Sequence, residues 1–227
     1  MLPYIPKAVR LFFGIFLMSL GSYMTVQGNI GLSPWTAFAM GLSLQTGASF
    51  GNMMIAVSVV IVIIDFALKE KIGFGTLING VMIGVYIDII AYTGLVPMMT
   101  GFWSGLAMLI LSLFTLCLGS YFYIGAGLGC GPRDSLMVAL CRRMAKTPIG
   151  VVRSLLEGTA LTIGWLMGAK IGLGTVISVF CIGAILQATF TALRFDVKAV
   201  QHENMLDTIR IFQRACTVKQ AGSSVRK

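Results

Sequence analysis

Apolar residues run through this chain in blocks too long and too even for the core of a water-soluble domain. Six of them, 9–28, 50–68, 76–95, 102–124, 149–168 and 174–193, each reach roughly the 20 residues a helix needs to cross the hydrocarbon core. Two shorter blocks, 34–46 and 132–144, keep a helical pattern but are too short to span. Each short block follows a Gly-rich stretch and opens on a proline, Pro34 or Pro132, a residue suited to the first turn of a helix. The pattern predicts an all-α, polytopic transmembrane helix bundle of about six spans with two short re-entrant helices.

The pattern also repeats. LGSYMTVQGNIGLSPWTAF from Leu20 resembles LGSYFYIGAGLGCGPRDSL from Leu118. Gly21-Ser22-Tyr23 matches Gly119-Ser120-Tyr121, Gly31-x-x-Pro34 matches Gly129-x-x-Pro132, and Gly51 matches Gly150. Gly73-x-Gly75-Thr76-x-Ile78 matches Gly172-x-Gly174-Thr175-x-Ile177, and Gly84 matches Gly183. Matches in constant order and nearly constant spacing indicate an internal duplication. They divide the chain into a first membrane repeat (1–96), a second (97–193) and a tail (194–227). Each repeat carries three predicted spans, and an odd number predicts that the two lie in the bilayer with inverted topology.

Charge sets the expected orientation. Only 11% of residues are charged, against about 25% in soluble domains, which excludes a sizeable soluble domain. The net charge of +9 reads as a positive-inside bias and not as a nucleic-acid surface. Lys7, Arg10, Lys69, Lys71, Arg142, Arg143, Lys146 and the basic tail predict cytoplasmic loops with both termini inside a bacterial cytoplasmic membrane. Segments 29–48 and 94–101 carry no charge and are expected outside. Leu11 to Val26 has no A-x-A site after it and is read as a first span, not a signal peptide. In the tail, Met205, Leu206, Ile209, Phe212 and Cys216 fall at helical spacing and predict an amphipathic helix on the inner leaflet.

Several chemistries are absent from the sequence. The five cysteines form no CxxC, and the one histidine, His202, lies in the tail, so no metal site or disulfide framework is expected. There is no nucleophile, base and acid set, and no HExxH, so neither an enzyme nor a cofactor is expected. Gly125, Gly127, Gly129 and Gly131 alternate as in dinucleotide loops, but no strand precedes them; a tight re-entrant turn is the better reading.

The elements GLSPW (Gly31 to Trp35), GxGT (Gly73 to Thr76) and GLGCGPRD (Gly127 to Asp134) resemble the YczE/YyaS/YitT family of bacterial membrane proteins, its YczE branch most. The resemblance covers roughly 10–195. It implies a bacterial cytoplasmic membrane protein and supplies no settled substrate.

Candidate chemistry lies inside the spans. Thr76, Gly80, Gly84 and Asp88 recur every four residues, on one face of the third predicted span. Thr175, Gly183 and Gln187 hold the matching face of the sixth. An intramembrane carboxylate costs several kcal/mol unless protonated, paired or hydrated. Asp88 with Gln187 therefore reads as a central site for a cation, a proton or an amine-bearing solute; alternatively Asp88 hydrogen-bonds Gln187 or a hydroxyl and fixes helix packing. Gly80, Gly84 and Gly183 read as helix contacts, and Asn79 and its counterpart Ser178 as path-lining or capping groups. Arg153 and Glu157, four apart, suit an intrahelical ion pair or a charge network. Arg133 and Asp134 follow Pro132; Asp134 suits a helix dipole, and Arg133 suits a gate or an anion contact. The first repeat has Trp35 and Thr36 there instead.

The sequence thus predicts a small secondary transporter or solute-permeation protein, with proton or sodium coupling through Asp88. Its alternative is a non-transporting binding or accessory subunit of another membrane complex. Lipid and an unknown small solute are the expected partners, and a six-span chain is compatible with a homodimer.

Overall fold

The structure is a computed structural model that describes residues 4–195 except 71, 145, 146 and 148. The predicted tail helix lies outside the described residues. Within them the chain forms eight α-helices and no strand: α1 (Tyr4–Gln27), α2 (Pro34–Thr46), α3 (Phe50–Ala67), α4 (Phe74–Thr93), α5 (Phe102–Gly125), α6 (Pro132–Arg143), α7 (Ile149–Leu166) and α8 (Leu173–Ala192). Among the described residues five helices are long and apolar enough to cross a membrane: Ile5–Gln27, Phe50–Ala67, Phe74–Thr93, Phe102–Gly125 and Leu173–Ala192. α7, expected as a sixth span, is an 18-residue helix that carries Arg153 and Glu157. The molecule is a polytopic helical membrane protein.

The bundle is built on α1 and α5. Gly14 meets Gly119, Gly21 meets Ser112, and Gly28 meets Gly105. Residue numbers fall on α5 as they rise on α1, so the two helices run antiparallel. A Cβ on Gly14 would stand 2.6 Å from the Tyr123 nitrogen, and one on Gly119 2.7 Å from the Met18 nitrogen. Small residues at seven-residue spacing thus let backbone touch backbone, the kind of contact that associates helices in lipid. Within the seam the hydroxyls of Thr25 and Ser112 share a buried hydrogen bond of 3.0 Å.

The remaining contacts come in matched pairs. α4 packs on α1 as α8 packs on α5, and α2 packs on α7 as α6 packs on α3. The loop before each short helix docks on the other repeat. Gly75 N–H donates to the Leu128 carbonyl at 2.8 Å, and Gly174 N–H donates to the Ile30 carbonyl at 2.9 Å. Gly31 and Gly129 follow those carbonyls at φ +136° and +133°, a region open to glycine and strained for other residues. The far ends match too: Gln45 donates to the Met167 carbonyl at the end of α7, and Arg143 to the Leu68 carbonyl at the end of α3, both at 3.0 Å.

One pair of contacts is not matched. α3 closes tightly on α4, where a Cβ on Gly51 would overlap the Gly84 carbonyl. Asp88 tightens this seam by capping α3. It accepts from Gly51 N–H at 2.9 Å and from the Ser49 hydroxyl, which itself accepts from Asn52 N–H at 3.1 Å. Gly80 extends the contact, with Ser58 Cβ 3.3 Å from where its own Cβ would stand. Among the described residues α7 makes no comparable contact with α8. The counterparts of Gly51 and Gly84 are Gly150 and Gly183, and each has open space for 4 Å around the position of a Cβ. Gly183, expected as a packing residue, has no described atom of another helix within 4 Å of where its Cβ would stand.

Leucine at position 119 would force the α1 and α5 backbones apart, an overpacking cost of about 1–3 kcal/mol. Leucine at Gly158, which has open space around it, is the control. Gly119→Leu is expected to lower the thermal midpoint of the purified protein by several degrees and its folded yield with it, and Gly158→Leu to leave both unchanged.

Candidate functional site

The two short helices begin inside the bundle and run outward. The Pro132 ring lies 3.9 Å from where a Gly80 Cβ would stand, in the middle of α4. α6 ends beyond α3, where Arg142 holds both Glu70 carboxylate oxygens at 3.0 and 3.2 Å. α2 likewise ends beside the end of α7. Their first turns therefore face one another in the interior. The Arg133 guanidinium lies 5.1 Å over the Trp35 ring. These two residues occupy equivalent places in the two repeats, so their contact lies on the line where the halves meet. Arg133 also donates to the Met54 sulfur at 3.5 Å.

A chamber of about 460 Å³ opens around these first turns. Both repeats contribute to it: Trp35 and Thr36 from α2, Arg133 and Asp134 from α6, Asn79 from α4 and Ser178 from α8. Arg153 and Glu157 of α7 close another wall and form the expected ion pair, 2.9 Å apart. The fields of Asp134 and Glu157 both act on Arg133. The chamber thus gathers two arginines and two acids. Asn79 is buried, and its amide nitrogen has no hydrogen-bond partner. Its counterpart Ser178 is satisfied by the Gly174 carbonyl at 2.7 Å.

Other residues singled out in the sequence lie elsewhere. Asp88 and Gln187 were expected to share a central site, but neither lines the chamber. Asp88 is turned toward the start of α3, whose free N–H groups attract its carboxylate. Gln187 is exposed, and its one side-chain hydrogen bond is to Thr191 at 3.5 Å. Thr76 and Thr175 are buried at the docked loops: Thr76 donates to the Cys130 carbonyl, and Thr175 accepts from Gly172 N–H at 3.3 Å. Gly183 lines the chamber.

The sequence reading passed over Asp65. It is fully buried on α3, and neither carboxylate oxygen has a hydrogen-bond partner. Its place in the run Met53 to Ala67, close to the end of a span and to Lys69, made it resemble an end charge that reaches for water. The signal that marks it is its spacing. Gly51, Ser58 and Asp65 recur every seven residues and share the buried face of α3. Among the described residues no group of three His, Cys, Asp or Glu side chains is placed to hold a metal ion. A second cavity, about 620 Å³ and lined by apolar side chains of α2, α3, α6 and α7, abuts the chamber at Trp35.

Comparison with known proteins places the chain. An uncharacterized protein of Haemophilus influenzae is 32% identical over 78% of this chain and 80% of its own. The uncharacterized membrane protein YczE of Bacillus subtilis is 32% identical over 78% of this chain and 81% of its own. YyaS, an uncharacterized protein of the same organism, is 28% identical over 78% of this chain and 88% of its own. No solved structure matches. The model of a family of unknown function, DUF6198, matches residues 5–191, and the chain belongs to that family, together with relatives of the YczE and YyaS type.

Proposed function

We propose that this protein is a small secondary transporter or solute-permeation protein of the bacterial cytoplasmic membrane, not an enzyme, and that its solute site is the chamber between the repeats. The observation that carries the reading is the convergence of two inward-facing helix starts and four charged side chains on one cavity of about 460 Å³. Buried charge is costly in a bilayer and concentrates where solutes or ions pass. Helices that begin at mid-bundle and aim their first turns at a shared cavity are the usual way secondary transporters build a site.

In this reading α7 crosses the membrane as the sixth span, both termini are cytoplasmic and the repeats are inverted. The antiparallel run of α1 and α5, which the duplication makes equivalent, supports the inversion. The unmatched seams supply the movement. One state has α3 closed on α4 and α7 apart from α8. In the opposite state α7 closes on α8, Gly150 meets Gly183 and Gln187 reaches the start of α7, as Asp88 reaches the start of α3 now. Coupling to a proton is assigned to Asp65 in place of Asp88. Asp88 has its hydrogen bonds, whereas Asp65 has none and carries least cost as the neutral acid.

Three measurements test this. In a cysteine-free background, Ser178→Cys and Asn79→Cys are expected to react with a small membrane-impermeant thiol reagent, and a cysteine at lipid-facing Phe180 is not. Protection of both chamber positions from either side of the membrane would mean a dry core and would sink the transport reading in favour of an accessory subunit. Cysteines placed at Gly150 and Gly183 are expected to form a disulfide under mild oxidation, because the closed state brings them together. Failure to cross-link under conditions where the bundle is folded rules out closure of the α7–α8 seam. Infrared spectra at neutral pH are expected to show a protonated-carboxyl band that Asp65→Asn removes and Glu70→Gln leaves. A spectrum without that band assigns Asp65 to a charged state and removes it as the proton carrier.

A further inference from the structure

We propose that the chamber binds a small carboxylate-bearing solute at the start of α2, with Arg133 and Asn79 as its side-chain ligands. The inference rests on the reading of the chamber as a solute site and names the chemistry of what enters it.

Three independent features converge on an acceptor-rich, negatively charged group. The first is Asn79, 5% exposed, a residue of the chamber wall whose buried amide nitrogen has no partner. The same position in the other repeat, Ser178, is fully satisfied, so the unfilled donor is specific to this wall. The second is Arg133. A guanidinium presents a fan of N–H donors, yet the hydrogen bond seen for this one goes to a thioether sulfur at 3.5 Å, a weak acceptor. Its guanidinium carbon lies 5.1 Å over the Trp35 ring, a contact that uses none of its hydrogen-bond donors. A planar fork matches the two oxygens of a carboxylate. The third is the start of α2 itself. No side chain caps this 13-residue helix, because the Ser33 hydroxyl donates to the Thr36 hydroxyl at 2.8 Å instead of accepting from the backbone. Its first N–H groups and the positive end of its dipole remain available to an anion.

The acids of the chamber narrow the class. Asp134 stands in the first turn of α6 and complements that helix's own dipole. Glu157 is held by Arg153. The four formal charges cancel, so a ligand's single negative charge is met by the Arg133 fork and the α2 start together. A group with a single charge fits that balance, and a multiply charged phosphate does not. A chamber of about 460 Å³ accommodates a solute of roughly a dozen heavy atoms.

Benzoate, benzamide and benzamidine share a shape and differ in charge, so they serve as probes. Trp103 and Trp165 are 78% and 60% exposed; replacing both with Phe leaves Trp35 as the sole tryptophan reporter. In the purified full chain at constant ionic strength, benzoate is expected to raise the thermal midpoint and to shift Trp35 emission with one saturable curve. Benzamide and benzamidine are expected to do neither at the same concentrations. Arg133→Gln is expected to weaken benzoate at least about tenfold, the loss of one charge-assisted fork, while Arg142→Gln, outside the chamber, leaves it unchanged. Should Arg133→Gln fail to fold, Asn79→Ala takes its place, with weakened benzoate expected again. Equal responses to benzamidine or benzamide, no response to benzoate, or undiminished binding in the chamber variants overturns the proposal. Labelling of the Ser178→Cys variant separates the failures. A reactive thiol there with no benzoate response overturns this inference and leaves a solute chamber of other specificity. An unreactive thiol removes the chamber reading together with this inference.

Discussion

In a bilayer no hydrophobic force draws one helix to another, because lipid tails are as apolar as leucine. α1 and α5 must therefore hold together by contact alone, and contact is greatest where side chains are smallest. Gly14, Gly21 and Gly28 on one helix face Gly119, Ser112 and Gly105 on the other. This antiparallel seam fixes how the two repeats stand to each other. Once it is set, α4 and α8 fall on opposite flanks, and the loops at Ile30 and Leu128 reach the starts of α8 and α4. The loops in turn set where α2 and α6 begin. The meeting of Trp35 with Arg133 is the end of that series of constraints, and so is the chamber around them.

Much of this was legible in the sequence because membrane helices are uniform and glycine is not. The eight helical blocks correspond to the eight helices within a few residues, since apolar length and the Pro34 and Pro132 starts leave little freedom. Several of the duplicated glycines lie at contact points: Gly21 and Gly119 in the α1–α5 seam, Gly31 and Gly129 in the docked loops, and Gly51 and Gly84 in the α3–α4 seam. The site was less legible. A carboxylate in a span draws attention wherever it lies, and Asp88 drew it. Periodicity shows which face a residue occupies but not what that face meets. Asp88 meets the start of α3, where backbone N–H groups satisfy it. Asp65 meets no partner, yet its position near the end of a span disguised it. Arg133 was legible as an anion contact only because it follows Pro132, which fixes it in a first turn; that Trp35 lies under it required the fold.

The apolar cavity beside the chamber follows from the same geometry. α3 and α7 are equivalent helices on either side of the short pair, and neither fills the space between them. Bulky side chains such as Leu42, Ile61 and Leu156 line that space without closing it. Trp35 lies in the walls of both the apolar cavity and the charged chamber.

Symmetry gives the strongest constraint on movement. Two halves of nearly equal design have no physical reason to differ in packing unless the difference carries a function or a sequence change forbids equality. Between α3–α4 and α7–α8 the glycines are retained: Gly51 has Gly150, and Gly84 has Gly183. The tight approach is thus sterically open to both seams, yet only one makes it. What differs is the cap. Asp88 brings two carboxyl oxygens to the α3 start and takes two hydrogen bonds there, whereas the Gln187 amide has a single acceptor oxygen to offer the α7 start. In the proposed cycle the closed α3–α4 seam is the resting one, and a ligand held by Arg133 and facing the Arg153–Glu157 pair would touch α7, the helix that would move.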